Sequence, residues 1–298
     1  MTAVAIIAIA VKYITPVLKA NIKQCLRLYS QTGGKIIMEE TKWGRWPHLL
    51  FYVQDEKKIN SGIMFRNLLA QSLAQYIVAE QADLLFAEMM KQSYFYFPQE
   101  EREHILILAQ KNYLADPAKD IGGQVYAEIL QQLQEYLEQH DYVNLHGLML
   151  FRMQAWLKFV RRTLDRAVDD YLMEKEYQEF IKLLKYFVAL QEPKLKQVHV
   201  LLNESGCFYF LDHTFQPVEQ QQEIIWDGDH CSCEEEDQLV SLIISLAPHH
   251  IILHHHVYLK YPKAVDTLKH VFEQRVSICK GCKLCHNAKN KIFYKRKT

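Results

Sequence analysis

The chain has 298 residues, 49% hydrophobic and 23% charged, so it can bury a substantial core and is expected to divide into two or three domains. Its 35 basic and 35 acidic side chains cancel, which excludes a global field drawing it toward nucleic acid or an anionic membrane; any such attraction has to be local. Ten glycines and eight prolines exclude a fibrous or low-complexity chain.

The opening "MTAVAIIAIAVKYITP" has no basic n-region, its apolar run stops at Lys12, and no small-residue cleavage site follows. A buried strand is therefore expected there in place of a signal peptide. No other run approaches the roughly 18 to 20 apolar residues a bilayer span needs. The expectation is a cytoplasmic protein with no membrane span, in which disulfides do not persist. A helical pattern follows from Pro16 to about Ser30, then "GGKIIMEE" and "PHLLFYVQDE" read as two strands around a turn. Residues 1–60 thus make a small α/β unit, whose "GGK" lacks the full phosphate-loop pattern.

From Ser61 the period changes. Leu69, Leu73 and Ile77 recur at helical spacing, and no strand-like alternation returns for over a hundred residues. Pro98 with Glu100 and Glu101, and Asp116 with Pro117, mark helix starts, because proline suits the first helical position and acid suits the positive end of the dipole. Asn144 is placed to open the next helix. The stretch beyond Gly147 runs to Glu192 without Gly or Pro, too long for an ordinary globular helix, so a break near Leu172 is expected. Arg162, Arg166 and Asp170 stand one turn apart and read as a solvated charge ladder. Residues 61–193 are the helical middle.

After Pro193 the period returns to two. "VHVLL", "NESG" and "CFYFLD" make a hairpin; "EEEDQLVSLIISLAP" a helix; "HHIILHHH" a strand; "PKAVDTLKHVFEQR" a helix; "VSIC" a last strand. Residues 194–298 are therefore a ββαβαβ domain with a Cys-rich, basic end, and the whole chain is α+β. Crossovers of this spacing suit parallel neighbours, and ligands then sit at the carboxyl ends of strands. Cys279 and the histidines at 254 to 256 both fall at such ends.

Three of the seven cysteines, Cys279, Cys282 and Cys285, lie in "CKGCKLC". Two-residue spacers let the backbone fold around one ion, with zinc bonding sulfur at about 2.3 Å, and Gly281 eases the turn. Lys280 and Lys283 favour the thiolate, so the thiols could also be reactive without metal. A tetrahedral zinc site needs a fourth donor. His286 follows at once, and "HCSC" supplies His230, Cys231 and Cys233. Competing chemistries fit less well. The bacterial ferredoxin pattern lacks its fourth cysteine and proline here, C-x-x-C-H haem attachment belongs to exported proteins, and a dithiol redox motif lacks its βαβ setting. Against all of these stands ordinary packing of reduced thiols.

His249, His250, His254, His255 and His256 offer imidazole ligands, and on a strand His254 and His256 would share a face. With Asp212, or with Asp227 and Asp229, they could make a metal-assisted hydrolase or nuclease-like site acting on phosphate or nucleic acid; polar packing at a strand end is the plainer account. Lys289, Lys291, Lys295, Arg296 and Lys297 around Phe293 and Tyr294 give the tail a means to touch nucleic acid, although a solvated tail explains them equally.

The words "EKEYQEFIKLLKYFV" and "VHVLL", within Phe151 to Leu202, resemble the YtxC-like sporulation proteins of endospore-forming bacteria, and the likeness continues through "LAPHHIILH" to the cysteine-rich end. It implies a cytosolic protein of a sporulating cell and carries no reaction, substrate or catalytic residue. The reading is a sporulation-associated, non-enzymatic interaction protein with a zinc-type thiolate site, an unidentified protein partner, and the outer face of the long helices available for a homo-oligomer.

Overall fold

The computed structural model describes residues 5–53, 61–114, 121–202, 208–218 and 235–287. They fall into two compact units, Met1–Met173 and Glu174–Thr298, each with its own core. The architecture is α+β, with small sheets toward both ends of the chain and a long helical middle, as the sequence indicates.

In the first unit β1 (Ala5–Ala10) is central in a sheet of order β2-β3-β1-β4. Ile7 and Ile9 on one face and Ala10 on the other are all buried, which explains an apolar run without strict alternation. Strand β2 (Ile36–Trp43) and strand β3 (Trp46–Val53) close a hairpin over a two-residue turn in which Gly44 takes φ +59°, the positive value a tight hairpin turn needs. Between β1 and β2, helix α1 (Pro16–Gln31) starts where Thr15 Oγ1 accepts from Leu18 N at 3.2 Å, with proline at the first position.

Helices α2 (Ser61–Tyr76), α3 (Ala82–Ser93), α4 (Gln99–Leu114) and α5 (Ile121–Gln139) follow, with a π-helical turn at Ile77–Gln81 between the first two. Phe65, Leu69, Leu73 and Phe86 from these helices share one core with Phe51 of β3 and Ile9 of β1. One strand was not anticipated: β4 (Tyr142–Asn144) pairs parallel with β1, from Ala8↔Tyr142 to Ala10↔Asn144. Three residues are too few for alternation to register. Asn144 then caps α6 (Leu145–Arg152), its Oδ1 accepting from Gly147 N at 2.9 Å.

Helix α7 (Gln154–Leu190) runs 37 residues without the expected break near Leu172. No Gly or Pro interrupts it, and both of its halves have a core to enter. Trp156, Val160, Leu164 and Ala167 are buried in the first unit, where Trp156 Nε1 donates to Tyr113 Oη at 3.1 Å. Ile181 and Val188, flanked by Tyr177 and Leu184, pack in the second.

The second sheet has order β6-β5-β7-β8. Strands β5 (Val198–Leu202) and β6 (Phe208–Asp212) are antiparallel, while β7 (Ile251–Leu253) and β8 (Val276–Ile278) join parallel to β5 and to each other. Helix α8 (Glu235–Leu246) precedes β7, and the crossover to β8 is two helices, α9 (His255–Lys260) and α10 (Pro262–Phe272), parted by Pro262. A short α11 (Lys283–Asn287) ends the described chain. The histidine run does not extend the strand to residue 256. His254 N makes the last ladder bond to Val200 O at 3.0 Å, and its own carbonyl accepts from Val257 N, so His255 and His256 already belong to a helix. Among the described residues no helix is long and apolar enough to cross a membrane.

Candidate metal centre

Strands β7 and β8 lie side by side and parallel, with Leu253 opposite Ile278. The next residue on each, His254 and Cys279, therefore leaves the carboxyl edge of the sheet at the same place. Cys279 N donates to Leu253 O at 2.9 Å and extends the pairing by one step. Gly281, at φ +123°, then turns the chain back, a conformation a side chain would resist. Cys282 just precedes α11 and Cys285 lies within it, so the two-residue spacers return all three sulfurs to one point.

The four donor atoms, His254 Nδ1 and the Sγ atoms of Cys279, Cys282 and Cys285, all lie within 4.8 Å of one another. His254 Nδ1 is 3.2 Å from Cys285 Sγ and 3.5 Å from Cys282 Sγ, and Cys285 Sγ is 3.9 Å from both other sulfurs. Around a tetrahedral zinc with its usual bond lengths, sulfurs stand about 3.8 Å apart and nitrogen and sulfur about 3.5 Å apart. The set is thus close enough to hold a metal ion. His254 and Cys285 are buried, while Cys279 and Cys282 are half-buried.

The local electrostatics suit ligation. Burial, with His199 and His256 nearby, pushes His254 down to about 4, keeping it the neutral imidazole a metal requires. Burial also pushes the Cys282 thiol up, but backbone hydrogen bonds from Cys285 and Leu284 and the adjoining thiols outweigh it, and the net direction is down. Cys279 goes up, chiefly by burial, although Gly281 N donates to its sulfur at 3.4 Å. The thiolate tendency at Cys282 thus comes from the amides of α11 together with the neighbouring thiols.

Behind the donors stands a buried relay. His254 Nε2 is 3.2 Å from His199 Nδ1, and His199 Nε2 is 2.7 Å from the Gln197 amide, which accepts once its outline-equivalent oxygen and nitrogen are exchanged. Phe215 covers His199 with ring centroids 4.9 Å apart, and does so at φ +63°, a strained value for an aromatic residue. Asp212 builds the turn that holds it there, its Oδ1 accepting from Thr214 N and Oγ1 at 2.7 Å and from Gln216 N at 3.0 Å. Those bonds, that of the Thr214 hydroxyl first, pull the Asp212 carboxyl down.

The structure brings together Cys279, Cys282 and Cys285 and adds His254 as the fourth donor. The sequence had put His254 at a strand end beside Cys279 but assigned it to a different site. His256 Nε2 donates to Cys285 O at 3.2 Å and so braces α11. His250 Nε2 lies 3.1 Å from Ser277 Oγ. The trio considered for hydrolysis, His254, His256 and Asp212, is thus engaged at three separate tasks. Of the other sequence candidates, His286 lies in α11 with its side chain outside what the structure describes, and Asp227, Asp229, His230, Cys231, Cys233 and the basic tail lie outside the described residues.

The sequence profile of the YtxC-like family matches residues 67–277. The chain belongs to the YtxC-like family. The match begins far before the Phe151–Leu202 words that suggested it, and contains Gln197, His199 and His254. It ends two residues before Cys279, so the thiols lie beyond the span by which a YtxC-like chain is recognised. An uncharacterized protein YtxC of Bacillus subtilis (strain 168) is 24% identical over 232 residues, covering 74% of this chain and 80% of that one. No solved structure matches significantly.

Proposed function

We propose that this YtxC-like chain is a cytoplasmic, sporulation-associated interaction protein without catalytic activity, in which one zinc ion on His254, Cys279, Cys282 and Cys285 fastens the end of the chain to the second sheet. The observation that carries the reading is the mutual approach of four soft or borderline donors from two strand ends and one short helix. Four protein donors fill a tetrahedral shell, and a filled shell is the signature of a structural zinc, since a catalytic one keeps a position for water. Such a clasp would fix where the basic tail of residues 289–298 leaves the domain for its protein partner. The sporulation part rests on the family resemblance.

The test is metal analysis of the purified full-length protein beside a Cys282→Ser variant. The expected result is one zinc per wild-type chain and at least a tenfold weaker hold in the variant. Negligible metal in both, with folding intact, would refute the site.

A further inference from the structure

The second half of α7 has two apolar faces. One, Tyr177, Ile181, Leu184 and Val188, packs in the core of the second unit. On the adjoining side Met173, Phe180, Leu183, Tyr186, Phe187 and Leu190 are 49–69% exposed. Met173, Phe180, Leu183, Phe187 and Leu190 follow spacings of seven, three, four and three, the seam of a helix that pairs with another helix. A solvated helix shows scattered apolar residues; here the stripe runs unbroken from Phe180 to Leu190, with Glu176 at the seam position before it, and a stripe of this size marks a contact surface.

We infer that this stripe is a homodimer interface in which α7 packs antiparallel on α7 of a second copy. The stripe is palindromic at two of its three mirrored pairs, the third setting Phe187 against Glu176. About a twofold axis between Ile181 and Lys182, Phe180 of each copy faces Leu183 of the other, and Met173 faces Leu190, as a self-complementary contact requires. Charge sets the direction. Residues 173–181 carry Glu174, Glu176 and Glu179 against Lys175, whereas residues 182–190 carry no acid and, since Lys185 is paired with Glu273 at 2.7 Å, offer Lys182 as their basic group. Antiparallel pairing lays the acidic half on the basic half; parallel pairing would oppose like charges. The six side chains expose about 650 Å² per copy, or on the order of 1,300 Å² for the pair, within the standard size of a specific interface. The reading is independent of the metal centre.

Light scattering behind gel filtration, on the full-length protein at tens of micromolar, tests it. The expected mass is twice the 35.2 kDa of one chain. Phe180→Glu, which places a charge near the axis twice, should give the single-chain mass with an unchanged helical circular dichroism spectrum. The milder Phe180→Ala should weaken self-association at least tenfold and covers the case in which the charged variant fails to fold. A wild-type monomer, whose stripe is then covered by another partner or by its own chain, overturns the inference. So does a dimer that neither substitution weakens.

Discussion

His254 and His199 meet Nε2 to Nδ1 at 3.2 Å, both rings buried, with Phe215 against the face of His199. The contact leaves His254 only Nδ1 to turn toward the three sulfurs; with a metal on Nδ1 the hydrogen is on Nε2 and His199 Nδ1 accepts it. A metal-bound imidazole gains basicity and a fixed orientation from such an outer partner. His199→Leu should therefore weaken zinc binding about 10- to 100-fold while the capacity stays at one ion per chain, measured by competition with a chromophoric chelator. His199→Gln, which keeps an acceptor near the ring, should recover part of the loss. Equal affinity in all three proteins would mean that the relay merely fills space.

Zinc removal should loosen one corner and leave the rest. Beyond Ile278 the chain turns through Gly281 into the five-residue α11, and the sulfurs of Cys279, Cys282 and Cys285 converge on His254, so an ion held there would tie this segment to the sheet at four points. Amide hydrogen exchange with and without chelator should show at least a tenfold acceleration across residues 279–287. The β2–β3 hairpin amides, which belong to the other unit, should not change. Uniform acceleration in both units would argue against a local clasp.

What could be read from the letters was whatever neighbours in sequence determine. Asn144 announced a helix start because a cap acts within three residues, and the hairpin at residues 36–53 showed itself as two apolar runs around a turn. The cysteine cluster was legible for the same reason: seven residues contain all three sulfurs. His254 as fourth donor was hidden because its place depends on the parallel register Leu253↔Ile278, set across two helices by side-chain packing. β4 is a similar case, a three-residue strand recruited by β1 from more than 130 residues away. The missing break in α7 was a misjudged length rule: with an apolar face for each unit, the helix had no need to stop.

Cys25, in the first unit, shifts the opposite way to Cys282 and predicts an alkaline weakness. It is 1% exposed on α1, and burial pushes its thiol up to about 11, only partly offset by a hydrogen bond involving Ser72. The unfolded chain releases this proton near pH 9, so between about pH 9 and 11 the folded state binds more protons and stability falls as pH rises. Below pH 9 the contribution is fully present. Across the window the loss is on the order of 2 kcal/mol from this one group. Urea unfolding of wild type and Cys25→Ala at pH 8 and pH 10.5 separates the titration from the cavity, because the cavity weakens the variant equally at both pH values. Wild type should lose more stability between them than Cys25→Ala does; parallel losses would show that Cys25 does not govern the alkaline limb.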